Sequence, residues 1–561
     1  MFIARVASKG RNGKSYTSIL LRQTFRAGAK VKSKTLAVLT PLPARIIAAI
    51  EKTLSPETDS LSSLATHSPD RFRLRNAESF GAVWVVDQVA VKLGLKKALG
   101  VTPEAALGYW QVLARVLSPA TSLLGMVRLA GSCAAAGILG WRHAFTEDDL
   151  YASGSWLTDR QAVIERRLWQ DRQGPAQNQL FLYDVTSSYL EGSHNALGDW
   201  GYNRDRKKGK KQLVIGLLAD AHGEPVSIQV YPGNTSDLNT FSDQVQKLKQ
   251  EWGASGITLV GDRGMIRGKQ QEATAQAGFH FISSLTRAQI RTLLKQKVLQ
   301  LEFFEEKVCE VAAEKQKRRY ILRRNPVRQE ELERTRSQKR QSLEQTLSKA
   351  NTYLAEHPRA QAQTQEKRLA RRLNQLALQR WLQIKREGKT FKLEVNAAAL
   401  QEQSQLDGCY VIQTDLPAAA AGAQTVHDRY KDLAEVERDF RTMKTGHMEI
   451  RPWYVCKEET TRAHALTAML ALKIRRHLEK AWEKLEITVE EGVAELATLC
   501  VVELVDAQSG AVAARQVPEP SARQKQLLDA LGLRMPGLPP EAKVTVGTRK
   551  KIQNERKTSI K

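Results

Sequence analysis

The stretch VHDRYKDLAEVERDFRTMK, residues 426–444, holds one carboxylate between a phenol and two cations. On a helix of about 3.6 residues per turn, positions seven apart fall almost on one line, so Tyr430, Glu437 and Lys444 align. Arg441 lies beside that line. The polar line is therefore a candidate site for chemistry. A surface helix with ion pairs between residues three and four apart is the alternative interpretation.

The same helix carries an apolar stripe roughly 90° from the polar line. The stripe is the expected seam against a core and consists of Leu433, Val436, Phe440 and Met443. Glu435 and Asp439 are expected on the far side of the helix. We therefore expect Glu437 to lie at the margin of the core, and Glu435 and Asp439 to have no part in the site.

Two aspartates upstream lie in predicted strands. Asp184 lies in LFLYDVTSSYL, and Asp262 ends the strand in ITLVGDRGM. With Glu437 they would supply three carboxylates, which are ligands that hard divalent cations such as Mg²⁺ prefer. Two such ions about 4 Å apart can activate an attacking oxygen and stabilise a leaving oxygen at phosphorus. We predict that Asp184, Asp262 and Glu437 hold two Mg²⁺ ions, with Mn²⁺ as a substitute.

Several cations lie near these acids in the sequence. Arg263 directly follows Asp262, and Arg441 and Lys444 share the helix of Glu437. Guanidinium and ammonium groups pair well with phosphate oxygens. We expect these three side chains to neutralise phosphates next to the acids.

The elements that must position the acids follow a recognisable order. From residue 179 the pattern predicts β-β-β-α-β-α-β, and it places the two aspartates on neighbouring strands of one sheet. That order is typical of the ribonuclease-H fold. A later amphipathic helix, HALTAMLALKIRRHLEKAWEKL, should pack on the sheet. The fold class predicted is therefore α/β, with a ribonuclease-H-like mixed sheet.

A long basic segment separates the second aspartate from the glutamate. It begins with a predicted hairpin, VCEVAAEKQKRRYILRRN, and continues as two long polar helices around His357-Pro358. Residues 311–390 hold 21 Lys and Arg against 8 Asp and Glu, a net +13. A solvated helical hairpin usually balances its charges, so phosphate contact is the favoured interpretation.

The whole chain is strongly basic. Its 561 residues include 86 Lys and Arg against 60 Asp and Glu, a net charge of +26, with 42% hydrophobic residues. A foldable chain of this charge favours a polyanionic partner such as nucleic acid, and solubility alone is the weaker explanation. Five scattered cysteines without a CxxC pair suggest neither zinc nor disulfides. The absence of a signal-like N-terminus and of a long apolar run predicts a cytoplasmic chain without a membrane partner.

The pattern divides the chain into five parts. These are a small basic β-rich region at 1–53, a helical domain at 71–175 that could bind DNA ends, a catalytic domain at 178–286 and 406–480, a basic, mainly helical insertion at 287–405, and a C-terminal helical region at 481–561. The last part ends in a basic tail and is a candidate for dimerisation or DNA contact.

Four motifs in this order resemble the DDE transposases of bacterial insertion sequences: YDVTSSYLEG, GLLADAHGEPVSIQVYPGNTSD, VGDRGM and YKDLAEVERDFRTMK. The most similar group has the signature Tyr-x2-Arg-x3-Glu-x6-Lys. Tyr430, Glu437 and Lys444 match three of its four positions. Leu433 stands where the family usually has arginine, and Arg441 or Arg429 are candidates to supply the missing phosphate contact.

The resemblance implies a bacterial, nucleoid-associated enzyme that excises and reinserts DNA. It would bind terminal inverted repeats as a homodimer on double-stranded DNA. Water would cut one strand at the Asp184, Asp262 and Glu437 triad, and 3′-hydroxyls would then attack DNA phosphates, commonly through a hairpin. A tryptophan in the insertion would stack on a flipped base. Trp381 is the candidate, with packing in the core of the insertion as the alternative.

Three rival functions remain open at this point. A DNA-binding descendant without catalysis would explain Leu433, although all three acids are present. Another ribonuclease-H-like nuclease would lack a reason for the large insertion. A coiled-coil protein built on residues 328–385 would need sustained heptads, which are missing.

Overall fold

The computed structural model describes residues 1–9, 15–27, 30–54, 72–119, 121–141, 143–171, 180–192, 194–313, 317–445, 448, 450–451, 453–535 and 537–538. The predicted basic tail lies outside the described residues. The chain divides into two compact units, a smaller one of residues 1–78 and 500–519 and a larger one of residues 79–499 and 520–561.

Within the described ranges the strands are β1 Phe2–Lys9, β2 Ser15–Ala27, β3 Lys30–Val38, β4 Phe72–Ser79, β5 Leu180–Tyr189, β6 Gln212–Asp220, β7 Pro225–Pro232, β8 Thr258–Gly261, β9 His280–Ser284, β10 Cys309–Ala313, β11 Arg318–Arg324, β12 Leu382–Glu387, β13 Thr390–Val395, β14 Cys409–Thr414, β15 Cys500–Asp506 and β16 Val512–Gln516. The α-helices there are α1 Ala44–Leu54, α2 Gly81–Lys92, α3 Leu95–Leu99, α4 Pro103–Leu117, α5 Leu123–Ser132, α6 Ala135–Leu139, α7 Glu147–Gln170, α8 Asp237–Gln250, α9 Gly268–Gln276, α10 Arg287–Lys295, α11 Pro326–Glu356, α12 Ala362–Gln375, α13 Ala397–Ser404, α14 Ala423–Lys431, α15 Leu433–Lys444, α16 Glu458–Trp482, α17 Val489–Ala497 and α18 Ala522–Leu531. The chain is therefore a mixed α/β protein, as predicted.

The smaller unit contains two three-stranded sheets. Strands β1, β2 and β3 pair in order and antiparallel, which confirms the β-rich N-terminus. The second sheet has the order β16-β15-β4, and Arg75 on β4 donates to Glu503 on β15. The prediction of a helical region from residue 481 is thus wrong for residues 500–516. The segment CVVELVDAQSGAV alternates and turns at Ser509-Gly510, a hairpin signal that the sequence did contain.

The larger unit is built on an eight-stranded mixed sheet with the order β10-β11-β14-β9-β8-β5-β6-β7. Strands β5, β8 and β9 run parallel, while β6, β7, β14, β11 and β10 pair antiparallel with their neighbours. The predicted succession of strands and helices from β5 to β9 is confirmed. The parallel register of β5 and β8 is the feature that positions the site.

Helices cover the sheet because their apolar faces need a partner. Helix α16 is buried along most of its length and packs on β7, where the Lys473 ammonium donates to the Pro225 carbonyl at 3.0 Å. Helices α4 and α7 pack on α16. Their starts are capped, α4 by Thr102 before Pro103 and α7 by a Thr146–Asp149 capping box. The helical character predicted for residues 71–175 is confirmed except for β4.

The basic segment is less separate than predicted. Strands β10 and β11 form the expected hairpin, but β11 pairs with β14 and so extends the main sheet. The boundary predicted at residue 287 is therefore wrong, because the hairpin belongs to the sheet. The part that stands apart runs from α11 to α13. It holds the two predicted long helices, the β12–β13 hairpin and two small cores of its own.

Candidate functional site

Asp184 and Asp262 lie side by side because of strand register. Tyr183 on β5 is opposite Gly261 on β8, so the next residue of each chain segment is one of the two aspartates. Asp184 is half-buried within β5, and Asp262 is exposed just beyond the end of β8. Parallel neighbouring strands thus bring two carboxylates to the same edge of the sheet, as predicted.

The polar helix line reaches both of these strands. At its start the Tyr430 hydroxyl lies 3.1 Å from Asp262 Oδ1, beyond β8. At its end the Lys444 ammonium lies 2.7 Å from Thr186 Oγ1 on β5. Glu437 is midway along the line and exposed, on a helix that packs against β5. The structure therefore places Glu437 on a helix that runs from Asp262 to β5, the strand that carries Asp184.

The charges of Asp262 and Glu437 act on Asp184. Burial raises the pKa of Asp184 to about 7, and the negative charges of Asp262 and Glu437 add to the rise. The backbone N–H of Val185 and the charge of Arg204 oppose it. Mutual repulsion of this kind is what a bound cation relieves.

Asp262 is fixed by two donors on one oxygen. Its Oδ1 accepts from the backbone N–H of Arg263 at 2.7 Å and from the Tyr430 hydroxyl. Tyr430 also lies 2.7 Å from Ser284 Oγ, and its pKa is raised by burial and then by the Asp262 charge. The phenol is therefore protonated at neutral pH and holds the carboxylate in place. The Arg263 side chain itself is exposed.

The predicted single helix is two helices. Residue 432 is a turn between α14 and α15, and the Glu435 N–H donates to the Asp432 carbonyl three residues back. Because of this tighter turn, α15 begins as a new helix. The polar line of Tyr430, Glu437 and Lys444 nevertheless stays continuous. Leu433 is 8% exposed and packs in the core at the start of α15. Arg429 pairs with Asp432 at 3.3 Å.

Lys444 is placed differently from the prediction of a phosphate contact. Its ammonium donates to Thr186 Oγ1, to the Ser187 carbonyl and to Asp205 Oδ1 at 3.2 Å. Burial lowers the pKa of Lys444, against the charge of Asp205. The ammonium therefore ties α15 to β5 and to the loop that follows it. Arg441 is exposed, as its predicted role requires.

Asp439 and Glu435 lie on the far side of α15, as predicted, and both contact α16 there. Asp439 is 1% exposed, and its Oδ1 accepts from Arg476 on α16 at 2.5 Å. Arg476 also donates to Glu435 Oε2 at 3.0 Å and to the His222 carbonyl at 3.2 Å. The far side of α15 faces a helix rather than solvent, because α16 covers it. These contacts fix the helix that carries Glu437.

Gly223, in the β6–β7 turn, shows how closely that turn approaches α15. Its φ is +75°, and a Cβ at this position would lie 2.6 Å from Glu435 Cβ. Both the left-handed backbone and the close approach require glycine. The β6–β7 turn, α15 and α16 thus meet around Arg476.

Trp381 does not stack outward. The side chain is 2% exposed and packs with Leu343, Leu373, Leu378 and Leu382. The predicted role on a flipped base is wrong for this structure, and the packing alternative is the one observed. The apolar residues around it in the sequence were the signal for a core.

A cleft opens beside Asp262 and Tyr430. It has a volume of about 540 Å³, and three arginines line it: Arg263, Arg287 and Arg328. Arg287 begins α10 and Arg328 lies in the first turn of α11, so the basic segment contributes to this cleft. Sequence reasoning missed both arginines individually, and the net charge of the segment was the available signal.

The loop after β5 contributes two residues that the sequence analysis did not single out. Arg204 pairs with Asp237 at 2.8 Å, and its charge acts on Asp184. Asp205 accepts from Lys444 and from Arg451 at 2.6 Å. A single acid within a basic loop was the only sequence signal for Asp205.

The acids suit a hard divalent ion by donor type and by charge. Asp184, Asp262 and Glu437 offer only carboxylate oxygens, and the charges of Asp262 and Glu437 add to the effect of burial that raises the pKa of Asp184. Among the residues that the structure describes, no three His, Cys, Asp or Glu side chains are close enough together to hold a metal ion. Side-chain rotation would have to bring these oxygens closer. No helix in the described part of the chain has the length and apolar character needed to cross a membrane.

Comparisons with known proteins identify a family for this chain. The family model described as "Transposase DDE domain" matches residues 175–474, which is just over half of the 561-residue chain and includes all three acids. No curated protein matches. Among solved structures, a cryo-EM structure of a piggyBac transposase synaptic complex with hairpin DNA aligns with 80% of this chain and 76% of that chain, at 7% identity and a TM-score of 0.33. That score is too low to define a shared fold. From the family match, the chain belongs to the DDE-domain transposases.

Proposed function

We propose that this transposase cuts and rejoins DNA with Asp184, Asp262 and Glu437 as its divalent-ion ligands, Mg²⁺ being the expected ion. The observation that supports this most strongly is the polar line of α14 and α15, which runs from Asp262 to β5 with Glu437 between. Bound ions would activate an attacking oxygen and stabilise the leaving oxygen. The strand order from β5 to β9 favours a ribonuclease-H-like catalytic core.

The protein residues around the acids have distinct tasks in this proposal. Tyr430 holds Asp262 through its hydroxyl, and Ser284 supports the phenol. Arg263, Arg287 and Arg328 line the cleft next to Asp262, where they would pair with phosphates of the bound strand. Lys444 acts as a structural tie rather than a phosphate ligand. These assignments make the cleft the path of the DNA strand.

The wider reaction is also part of the proposal. The substrate is double-stranded DNA carrying the terminal inverted repeats of an insertion sequence, and a homodimer pairs the two ends. Excision passes through a hairpin before strand transfer into target DNA. The net charge of +26 supports a polyanionic partner. The helices α2–α7 are the proposed end-binding region, and α2, α4 and α7 among them pack on α16.

The test is cleavage of a plasmid that carries the gene with its flanking DNA, with Mg²⁺ present. Wild type should cut at the element ends, and Glu437→Gln should not. Glu272→Gln, which changes an exposed acid on α9, is the matched control and should cut like wild type. Binding without cutting by the wild type would instead favour the DNA-binding descendant, for which the buried Leu433 is the one supporting observation.

A further inference from the structure

The loop between β5 and β6 ends in an aromatic and basic stretch, residues 200–211, WGYNRDRKKGKK, here named the aromatic–basic loop. It holds six cations and one acid. Its two aromatic side chains are unusually open, with Trp200 59% exposed and Tyr202 84% exposed. Two large exposed aromatic rings beside clustered cations indicate a surface that binds a partner.

The backbone under the two rings is firmly held. Asp199 and Gln212 exchange backbone hydrogen bonds at 3.2 and 2.9 Å. Gly201 lies so close to the next turn that a Cβ there would be 2.2 Å from the Gly233 carbonyl oxygen. Because the chain is pinned on both sides of Trp200, the rings of Trp200 and Tyr202 are presented from a fixed base.

The same loop is attached next to the three acids. The Arg204 N–H donates to Ser187 Oγ at 2.8 Å, three residues along β5 from Asp184. Asp205 accepts from the N–H of Tyr189 at 3.2 Å and pairs with Lys444 and Arg451. Asp205, the single acid of the loop, therefore makes its contacts within the protein. The cations then dominate the outer surface of the loop.

Those cations are available to a partner. Arg206 and Lys208 are exposed and form no ion pair within the described part of the chain. Base stacking on aromatic rings together with cations along the backbone is the general way in which proteins hold unpaired nucleic acid. Charge therefore favours DNA over a protein surface as the occupant of the loop.

We propose that the aromatic–basic loop binds unpaired nucleotides of the DNA strand beside the reacting phosphate. Trp200 and Tyr202 stack on the bases, and Arg206 and Lys208 pair with the adjacent phosphates. This inference rests on the proposed function, because it places the loop next to the strand that is cut. It assigns a second contact surface, distinct from the arginine-lined cleft at Asp262.

The test uses an end-containing duplex with two unpaired 2-aminopurine nucleotides at the element boundary, in EDTA so that no cleavage occurs. Wild type should quench the 2-aminopurine fluorescence. Trp200→Ala and Tyr202→Ala should each weaken binding of this probe about tenfold, and Trp200→Phe should retain most of it. All variants should bind the fully paired duplex within about twofold of wild type, because phosphate contacts there persist.

Phe25→Ala is the matched control, since Phe25 is another exposed aromatic residue, on β2 of the smaller unit. Unchanged quenching and affinity in Trp200→Ala and Tyr202→Ala would overturn the proposal. It would also be overturned if these variants altered only self-association in sedimentation, which would make the loop an interface between copies. Quenching by a wild type that never cuts would contradict the proposed function and leave the stacking surface intact.

Discussion

Arg476 forms the one ion pair that Asp439 makes among the described residues, and both groups are buried between α15 and α16. Replacing Arg476 by methionine would leave the Asp439 carboxylate 1% exposed with no cation beside Oδ1. Oδ2 already has no hydrogen-bond partner. Removing one member of a buried pair typically costs about 3–5 kcal/mol. We expect Arg476→Met to lose that much free energy of unfolding.

Replacing Asp439 should lower the free energy of unfolding less than replacing Arg476. In Asp439→Leu the guanidinium keeps Glu435 Oε2 at 3.0 Å and Glu224 Oε1 at 3.5 Å. We expect a loss of about 1–3 kcal/mol. The double variant removes both buried charges, so it should lie within about 1 kcal/mol of wild type. The double-mutant cycle would then give a coupling energy of several kcal/mol, as expected for two residues in direct contact.

Urea unfolding followed by tryptophan fluorescence is the assay. All ten tryptophans lie between residues 84 and 482, so the signal reports on the larger unit. Arg340→Met, which breaks an exposed pair with Glu344 on α11, should change stability by less than about 1 kcal/mol. A loss below about 1 kcal/mol for Arg476→Met, or simple additivity of the two single losses, would refute the reasoning.

Three further predictions concern residues other than the three acids. Asp205→Asn should lower both the urea midpoint and the end-cleavage rate, because Lys444 and Arg451 lose their shared carboxylate; unchanged cleavage would contradict this. Burial, then the Arg115 charge, holds the pKa of His464 well below its usual value, so the unfolded chain takes up the proton first as pH falls. Below about pH 6.5 the free energy of unfolding should therefore fall by about 1.4 kcal/mol per pH unit. Urea unfolding of His464→Gln should lack this pH dependence. Trp381→Ala should destabilise the insertion by about 3–5 kcal/mol, measured by urea unfolding, yet leave 2-aminopurine quenching unchanged.

The acids were predictable because each depends on local pattern and on one rule of geometry. Asp184 and Asp262 follow from strand order, and parallel register then makes them neighbours. Glu437 follows from helix phase, since the seven-residue line from Tyr430 to Lys444 survives the turn at residue 432. Periodicity captures such features because they do not depend on distant partners.

Partners that come from far along the chain were not predictable. Lys444 has the predicted position but meets Asp205, which lies 239 residues earlier. Asp439 lies on the far side of α15 as predicted, but the sequence did not indicate that α16 covers it through Arg476. Glu435→Gln is therefore unsuitable as a neutral control for Glu437, because Glu435 also pairs with Arg476. Helix phase gives the direction of a side chain and cannot say which element packs there.

Segment boundaries failed for a related reason. The sequence pattern places β11 in the basic insertion, but β11 pairs with β14 and so belongs to the main sheet. Strand β15 pairs with β4, a strand more than 400 residues earlier in the chain, and β16 pairs with β15. Local pattern identifies such strands, whereas their neighbours are decided by tertiary packing.

We propose joint binding of divalent ions by Asp184, Asp262 and Glu437 at the edge of the sheet. Mn²⁺ binding to the protein with end-containing DNA, followed by electron paramagnetic resonance, tests it most directly. We predict tight Mn²⁺ binding by wild type and by Glu272→Gln, and its loss in Asp184→Asn, Asp262→Asn and Glu437→Gln. Wild-type binding in all three of these variants, each still folded by urea unfolding, would contradict the account.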